Sequence, residues 1–299
     1  MDRAFPNLRG IIFMVMATGF FTCNDAFMKL ATVGLPPFEV LFLRGVAGLL
    51  WALPFVLLTG NGPKLKHVAN RWVVLRNLGE LLGVLCYVVA LAHIAIADVV
   101  AMGQLAPMIL LLGTALFFRD RIGWARALLV ALGFVGALCV AQPSANGVSP
   151  YVVLGLVSPI GVAIRDLIGR RVDPAIPTPV VAYSTLLVVM TGAGLASLLS
   201  EHWVMPDGHH LLLLACAGLL LAFGQHFIFQ SYRSAATAAV APLYYSFAIW
   251  GVLLGVFVFG TVPNVLAFVG IGLIVASGVA VMLIDIRRRI PVPAETPIA

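Results

Sequence analysis

Ten apolar runs, each long enough to cross a lipid bilayer, follow one another along the chain with short gaps between them, and basic residues occupy every second gap. A helix needs about 20 apolar residues to span the hydrocarbon layer. The runs lie near residues 10–30, 37–58, 71–92, 98–118, 124–141, 150–170, 178–199, 209–231, 236–259 and 263–284. They are continuous rather than alternating, which favours spanning helices over a barrel, and a helix satisfies its own backbone hydrogen bonds in lipid. With 62% hydrophobic and 10% charged residues, the chain is outside the range of a soluble domain, and its 299 residues leave no room for a sizeable one beside ten helices.

Of the 18 Lys and Arg residues, most sit in alternate gaps: Arg3 and Arg9; Lys64, Lys66 and Arg71; Arg119, Arg121 and Arg126; Arg170 and Arg171; Arg233; and Arg287 to Arg289. Short basic connections stay on the cytoplasmic side, so the pattern predicts an even number of crossings with both termini in the cytoplasm. The net charge of +6 therefore reports topology and is not a nucleic-acid footprint. Arg287 to Arg289 are placed to meet anionic lipid headgroups of the bilayer. Cys23, Cys86, Cys139 and Cys216 all fall inside apolar runs without a close pair, which reads as reduced thiols. The first run carries Asn24, Asp25 and Lys29 and no small-x-small cleavage site, so it reads as a retained helix. Lys29, Arg44, Arg76 and Arg165 are the basic residues that topology leaves unexplained.

Five helices per half would invert the second half relative to the first. Gly10 to Asp25 and Tyr151 to Asp166 share their spacing, each acid preceding a basic residue by four positions, Lys29 or Arg170. Gly133-Phe134-Val135-Gly136-Ala137 recurs as Gly272-Leu273-Ile274-Val275-Ala276. Such an inverted repeat is the build of a secondary transporter. Two five-helix copies, Arg44 in a Phe-Leu-Arg context, and the stretch from Ala101 to Asp120 with its central Pro107 resemble the drug/metabolite transporter superfamily, EamA type, over nearly the whole chain. The second half departs from that pattern, with Pro242 early in its helix and Gly260-Thr261 where an acid is usual. The resemblance implies an all-α, ten-helix carrier of the bacterial inner membrane. Its units would be a first repeat over 1–145, a second over 146–286 and a cytoplasmic tail over 287–299. It also implies a cavity lined by helices three, four, eight and nine, with one and six.

A charge at the centre of a span costs ~2.5–3.5 kcal/mol on insertion scales, so intramembrane polar groups are where function is sought. Glu80 falls mid-span with Arg76 one turn away, and two readings stand: an i,i+4 ion pair, or a solute-facing or proton-carrying carboxylate. Gly79 and Gly83 give a small-x-x-x-small face that lets another helix approach beside it. Asp25 and Arg44, at comparable depth on adjacent helices, are expected to form a structural ion pair, leaving Asn24 to face a cavity. Arg165 and Asp166 point about 100° apart on a helix and are not expected to share one wall. Gln225 and His226 on the eighth helix, Gln104 and the hinge Pro107 on the fourth, and Tyr244, Tyr245 and Trp250 on the ninth complete the candidates, with Tyr87 on the third. For the aromatics, packing between helices and lining of a cavity for an amphipathic solute both remain open. The Gly-rich pairs Gly251/Gly255 and Gly270/Gly272 read as close-packing positions.

The chain has no G-x-x-x-x-G-K-[ST] loop, no H-E-x-x-H and no G-x-S-x-G. No catalytic residue, metal site or cofactor is expected. The expected function is export of small metabolites, amino acids including aromatic or other hydrophobic ones, by alternating access, with the small-molecule substrate and the bilayer as partners and no nucleic acid. Uptake or exchange of a nucleotide-like or cationic metabolite is the alternative. A membrane enzyme acting on a lipid headgroup through Asp25, Glu80 and Asp166 is the alternative of another class. Oligomeric state is not written in the sequence.

Overall fold

The computed structural model describes residues 8–118, 123–142, 149–235 and 240–289. Arg3, Asp120 with its neighbours Arg119 and Arg121, the connection from Pro143 to Gly147, and the tail beyond residue 289 lie outside the described residues. Those that are described form helices α1 (Leu8–Ala31), α2 (Pro37–Leu58), α3 (Arg71–His93), α4 (Ile96–Gly103), α5 (Ala106–Phe118), α6 (Trp124–Ala141), α7 (Pro150–Gly169), α8 (Thr178–Ser200), α9 (Gly208–Ser234), α10 (Ser246–Phe257) and α11 (Val265–Arg289). Short 3-10 turns cover Gly62–Ala69 and Ala241–Tyr245. Among them are nine apolar stretches long enough to span a bilayer, α4 and α5 together forming one, plus a shorter apolar helix over Pro242–Phe257. The chain is a multi-pass, all-helical membrane protein of ten spans.

Helix limits follow local chemistry. Pro37 and Pro150 open α2 and α7, where a missing N–H costs nothing. The Asn70 side chain caps α3 by accepting from the Trp72 N–H, and Asp207 caps α9 by accepting from the His210 N–H. Backbone hydrogen bonding from His210 holds the Asp207 carboxyl below the usual range. Gly60 and Gly260 turn the chain with φ of 73° and 63°, a region that side chains disfavour.

Two spans are broken. The fourth is interrupted at Gln104 and Leu105, between α4 and α5, just ahead of Pro107, which has no N–H to give the Gly103 carbonyl. In the ninth, a 3-10 turn over Ala241–Tyr245, around Pro242, interrupts the α-helical path between Val240 and Ser246.

Packing joins helices far apart in sequence. α1 lies along α9, α3 along α7, α6 along α11, and α2 along α8 and α9. Glycine permits the closest of these approaches. A Cβ on Gly136 would stand 2.7 Å from the Gly270 carbonyl, and one on Gly270 would stand 2.5 Å from the Gly136 carbonyl. Gly83 meets the Ser158 carbonyl at 2.9 Å by the same measure, and Gly161 presses on the Gly83 backbone. The small face at Gly79 and Gly83 is therefore filled by α7. Gly251 packs on Val100 and Gly255 on Thr261, while Gly272 faces open space.

Candidate functional site

The α3–α7 contact decides the partner of Glu80. Because α7 crosses at Gly79 and Gly83, Arg165 lies opposite the carboxylate and donates from Nη1 to Glu80 Oε2 at 2.9 Å, with 23% and 17% of the two side chains exposed. Its Nε donates to Asp166 Oδ1 at 2.8 Å. Both expectations for these residues change. The Arg76–Glu80 pair gives way to a pair between spans, and Arg165 joins its own neighbour because a long guanidinium reaches across the angle that separates the two Cβ positions. Arg76 donates instead to Asn77 Oδ1 at 2.9 Å and Thr185 Oγ1 at 3.0 Å, in a polar seam between α3 and α8 completed by Asn77 Nδ2 donating to Ser184 Oγ. It also borders a depression of about 250 Å³ shared with Gly169, Asp173 and Thr178.

On α1, Asp25 accepts from the Tyr87 hydroxyl at 2.7 Å and from Asn24 Nδ2 at 2.9 Å. The expected Asp25–Arg44 ion pair does not close: no nitrogen of Arg44 comes within 4 Å of a carboxylate oxygen among the described residues. The two charges still act on one another, and Arg44 also feels Glu80. Arg44 is 7% exposed, and its Nε has no acceptor. Asn24 is 2% exposed, and its Oδ1 has no donor.

The ninth span presents its aromatics to different neighbours, since adjacent residues on a helical turn point about 100° or more apart. Tyr244 lies within electrostatic reach of Tyr87 and Arg165, and its ring meets Phe247 edge-on at 5.0 Å. Phe247 stacks on Phe21 of α1 at 5.9 Å. Tyr245 is buried instead in the core, against Gly278 of α11. Trp250 donates its indole N–H to the Val15 carbonyl at 3.1 Å and covers Gly19, which docks the ninth span on α1. Of the three candidates, Tyr244 is the one brought to the charged residues.

On α9, Gln225 is exposed although it lies within about 20° of Gly218, two turns earlier, which packs on Ala47 and Gly48 of α2. His226 meets Phe227 edge-on at 5.6 Å. Gln104 is buried at the break in the fourth span, its Oε1 without a donor among the described residues.

Lys29 had no assigned role in the sequence. Its ammonium donates to the Leu91 carbonyl at 2.5 Å and the Ile94 carbonyl at 2.7 Å, where α3 ends, and it stands over the Phe259 ring. Two acids were also missed. Glu201, beyond α8, accepts from the backbone N–H groups of Phe38 and Glu39 at the start of α2, and buried Glu39 accepts from the Val204 N–H at 3.0 Å. The signal available was Pro36-Pro37 just before Glu39, which marks a helix start with free N–H groups. Among the described residues no group of three or more His, Cys, Asp or Glu could hold a metal ion.

A ten-span helical bundle with charged and aromatic side chains from α1, α2, α3, α7 and the ninth span acting on one another is the architecture of a small-molecule transporter, and the similar proteins belong to that class. Residues 8–142 match the EamA-like transporter family, and together with the similar proteins this supports an EamA-type transporter of the drug/metabolite transporter superfamily. It is 29% identical to a riboflavin transporter of Rhizobium johnstonii over 94% of this chain and 93% of that one. It is 28% identical to the pseudopaline exporter CntI of Pseudomonas aeruginosa, covering 91% and 95% of the two chains, and 23% identical to an S-adenosylmethionine uptake transporter of Rickettsia conorii, covering 86% of each. A crystal structure aligns with a TM-score of 0.63 over 93% of this chain and 98% of that chain, at 20% identity, so the fold is shared.

Proposed function

We propose that the protein is a secondary transporter of the bacterial inner membrane, built from inverted repeats over 1–145 and 146–286, that exports amino acids, including aromatic and other hydrophobic ones, by alternating access. The observation that carries the reading is the pattern of helix contacts. Numbering the spans one to ten, the first packs on the eighth and the sixth on the third; the second packs on the eighth and the seventh on the third. Adding or subtracting five exchanges these pairs. The second with the seventh, the fourth with the ninth and the fifth with the tenth map onto themselves. The two broken spans, fourth and ninth, are likewise equivalent, and interrupted helices in corresponding positions mark the solute site of such carriers. Asn24, Glu80, Tyr87 and Tyr244 then border the solute path, Gln225 its mouth, and Pro107 the hinge.

Counterflow in proteoliposomes tests this. Saturable exchange of phenylalanine or leucine is the expected result, and flux that no amino acid supports would sink the amino-acid assignment. Coupling to protons through Glu80 or His226 is checked in the same vesicles: Glu80→Gln or His226→Gln is expected to abolish the pH dependence of flux, and unchanged dependence in both excludes that role. Uptake is the second reading, favoured by a relative named as an S-adenosylmethionine uptake transporter. Riboflavin and S-adenosylmethionine belong in the same counterflow panel.

A further inference from the structure

Of the four basic residues that topology leaves unexplained, Lys29, Arg44, Arg76 and Arg165, three are engaged. Lys29 donates to two carbonyls, Arg76 to Asn77 and Thr185, and Arg165 to Glu80 and Asp166. Arg44 is the fourth. It is 7% exposed, closes no ion pair among the described residues and leaves Nε without an acceptor, although Asp25 and Glu80 lie within reach of its charge. A buried guanidinium carries five fixed donors and cannot shed its proton, so its own helix bundle leaves it short of acceptors. Glu80 is already taken by Arg165, which leaves Asp25 as the opposite charge that acts on Arg44 without an ion pair between them.

Asp25 and its neighbour Asn24 are in turn short of donors. Asp25 accepts one hydrogen bond at each oxygen, from Tyr87 and from Asn24, and an ionised carboxylate has about four acceptor sites. Beside it, buried Asn24 keeps Oδ1 unused. A cation-binding pair of oxygens on α1 thus complements an anion-binding guanidinium on α2, and Tyr244, within electrostatic reach of Tyr87, adds an aromatic ring that meets Phe247 edge-on, Phe247 in turn stacking on Phe21.

We infer that Arg44 and Asp25 form a zwitterion receptor: the solute's carboxylate docks on the Arg44 guanidinium and its ammonium on the Asp25 carboxylate and Asn24 Oδ1. The solute then closes the ion pair that the protein leaves open, and both charges are satisfied only when it is bound. This rests on the transporter reading and narrows it to solutes carrying both charges, with an amino acid as the simplest case.

The unaltered protein in proteoliposomes gives the first test, through counterflow of L-phenylalanine against phenylalaninamide, 3-phenylpropanoate and phenethylamine, each lacking one of the two charges. Exchange of L-phenylalanine at least about tenfold faster than every analogue is expected, a factor well within what one charge-assisted contact supplies. Arg44→Gln and Asp25→Asn, checked for monodispersity, are expected to lower L-phenylalanine exchange by about tenfold or more, with Arg44→Lys intermediate because a point charge replaces a fork. Analogues that move as fast as L-phenylalanine overturn the proposal without recourse to any variant. Saturable riboflavin exchange that survives Arg44→Gln, with no L-phenylalanine exchange, overturns the receptor and leaves the carrier standing; no exchange of any of these solutes overturns both.

Discussion

Arg165 holds two acids from one position, and the consequence for stability is unequal between them. Its Nη1 serves Glu80 and its Nε serves Asp166, with less than a quarter of the Arg165 and Glu80 side chains exposed. Hydrogen bonds to charged groups contribute ~1.5–3 kcal/mol each. Arg165→Gln leaves Glu80 in the bundle without its counterion and is expected to destabilise by about that amount, read as a clear drop in melting temperature of the detergent-solubilised protein. Glu80→Gln should cost less, because Arg165 keeps Asp166 and glutamine still accepts a hydrogen bond. Equal melting of Arg165→Gln and the unaltered protein would show that the pair adds nothing. Lys29 makes a different kind of contact, on carbonyls that α3 leaves free at its end. Lys29→Met keeps the stem and removes the donors, so the same melting assay is expected to show a loss, about 1–3 kcal/mol for each carbonyl left unsatisfied. Melting of Lys29→Met at or above the unaltered temperature would remove Lys29 as a clamp between α1 and the junction of α3 with α4.

At the scale of helices, glycine positions sort into crossings and bystanders. Gly161 presses on the backbone of Gly83, so a methyl there must push α7 away from α3, and Gly161→Ala is expected to cost about 1–3 kcal/mol as overpacking. A Cβ added at Gly272 would meet nothing within 4 Å, and Gly272→Ala should be neutral or gain up to about 1 kcal/mol from helix propensity. A thermal melt of the two variants side by side checks the contrast, and equal melting temperatures would refute the crossing. This difference is only half legible in the sequence. Hydropathy locates nearly every span to within a few residues, because crossing length is imposed by the bilayer. The azimuth of each span is not legible, since lipid and helix–helix contacts are both apolar and leave no polar face to mark the outside. Gly79 and Gly83 announce a crossing beside Glu80 but not that α7 makes it. Arg76, one turn away on the same helix, is therefore the nearest partner a single-helix reading can offer, and Arg165 on α7 takes its place. Arg44 and Asp25 are legible as neighbours, and their failure to close a pair emerges only from the geometry.

For the whole molecule, the main contacts run between the proposed halves rather than within them. α1, α2, α3 and α6 take their principal partners from α7, α8, α9 and α11, and the Gly136–Gly270 crossing binds the fifth span to the tenth. Within 1–145, helices are joined by short connections but touch each other sparingly, so the half exposes the small-residue faces that only the other half fills. Lipid fills such faces poorly, because its chains cannot match the backbone contact that glycine permits. A repeat of this build is a unit of topology and not of folding. Residues 1–145 expressed alone are expected to yield no monodisperse monomer, whereas coexpression with 146–299 should return a one-to-one complex that co-purifies on a tag carried by either half. Size-exclusion chromatography with light scattering reads both outcomes. A stable monomer of 1–145 would mean that the contacts within the half suffice. The halves would then be free to move as independent bodies, and alternating access would need no exchange of helix contacts between them.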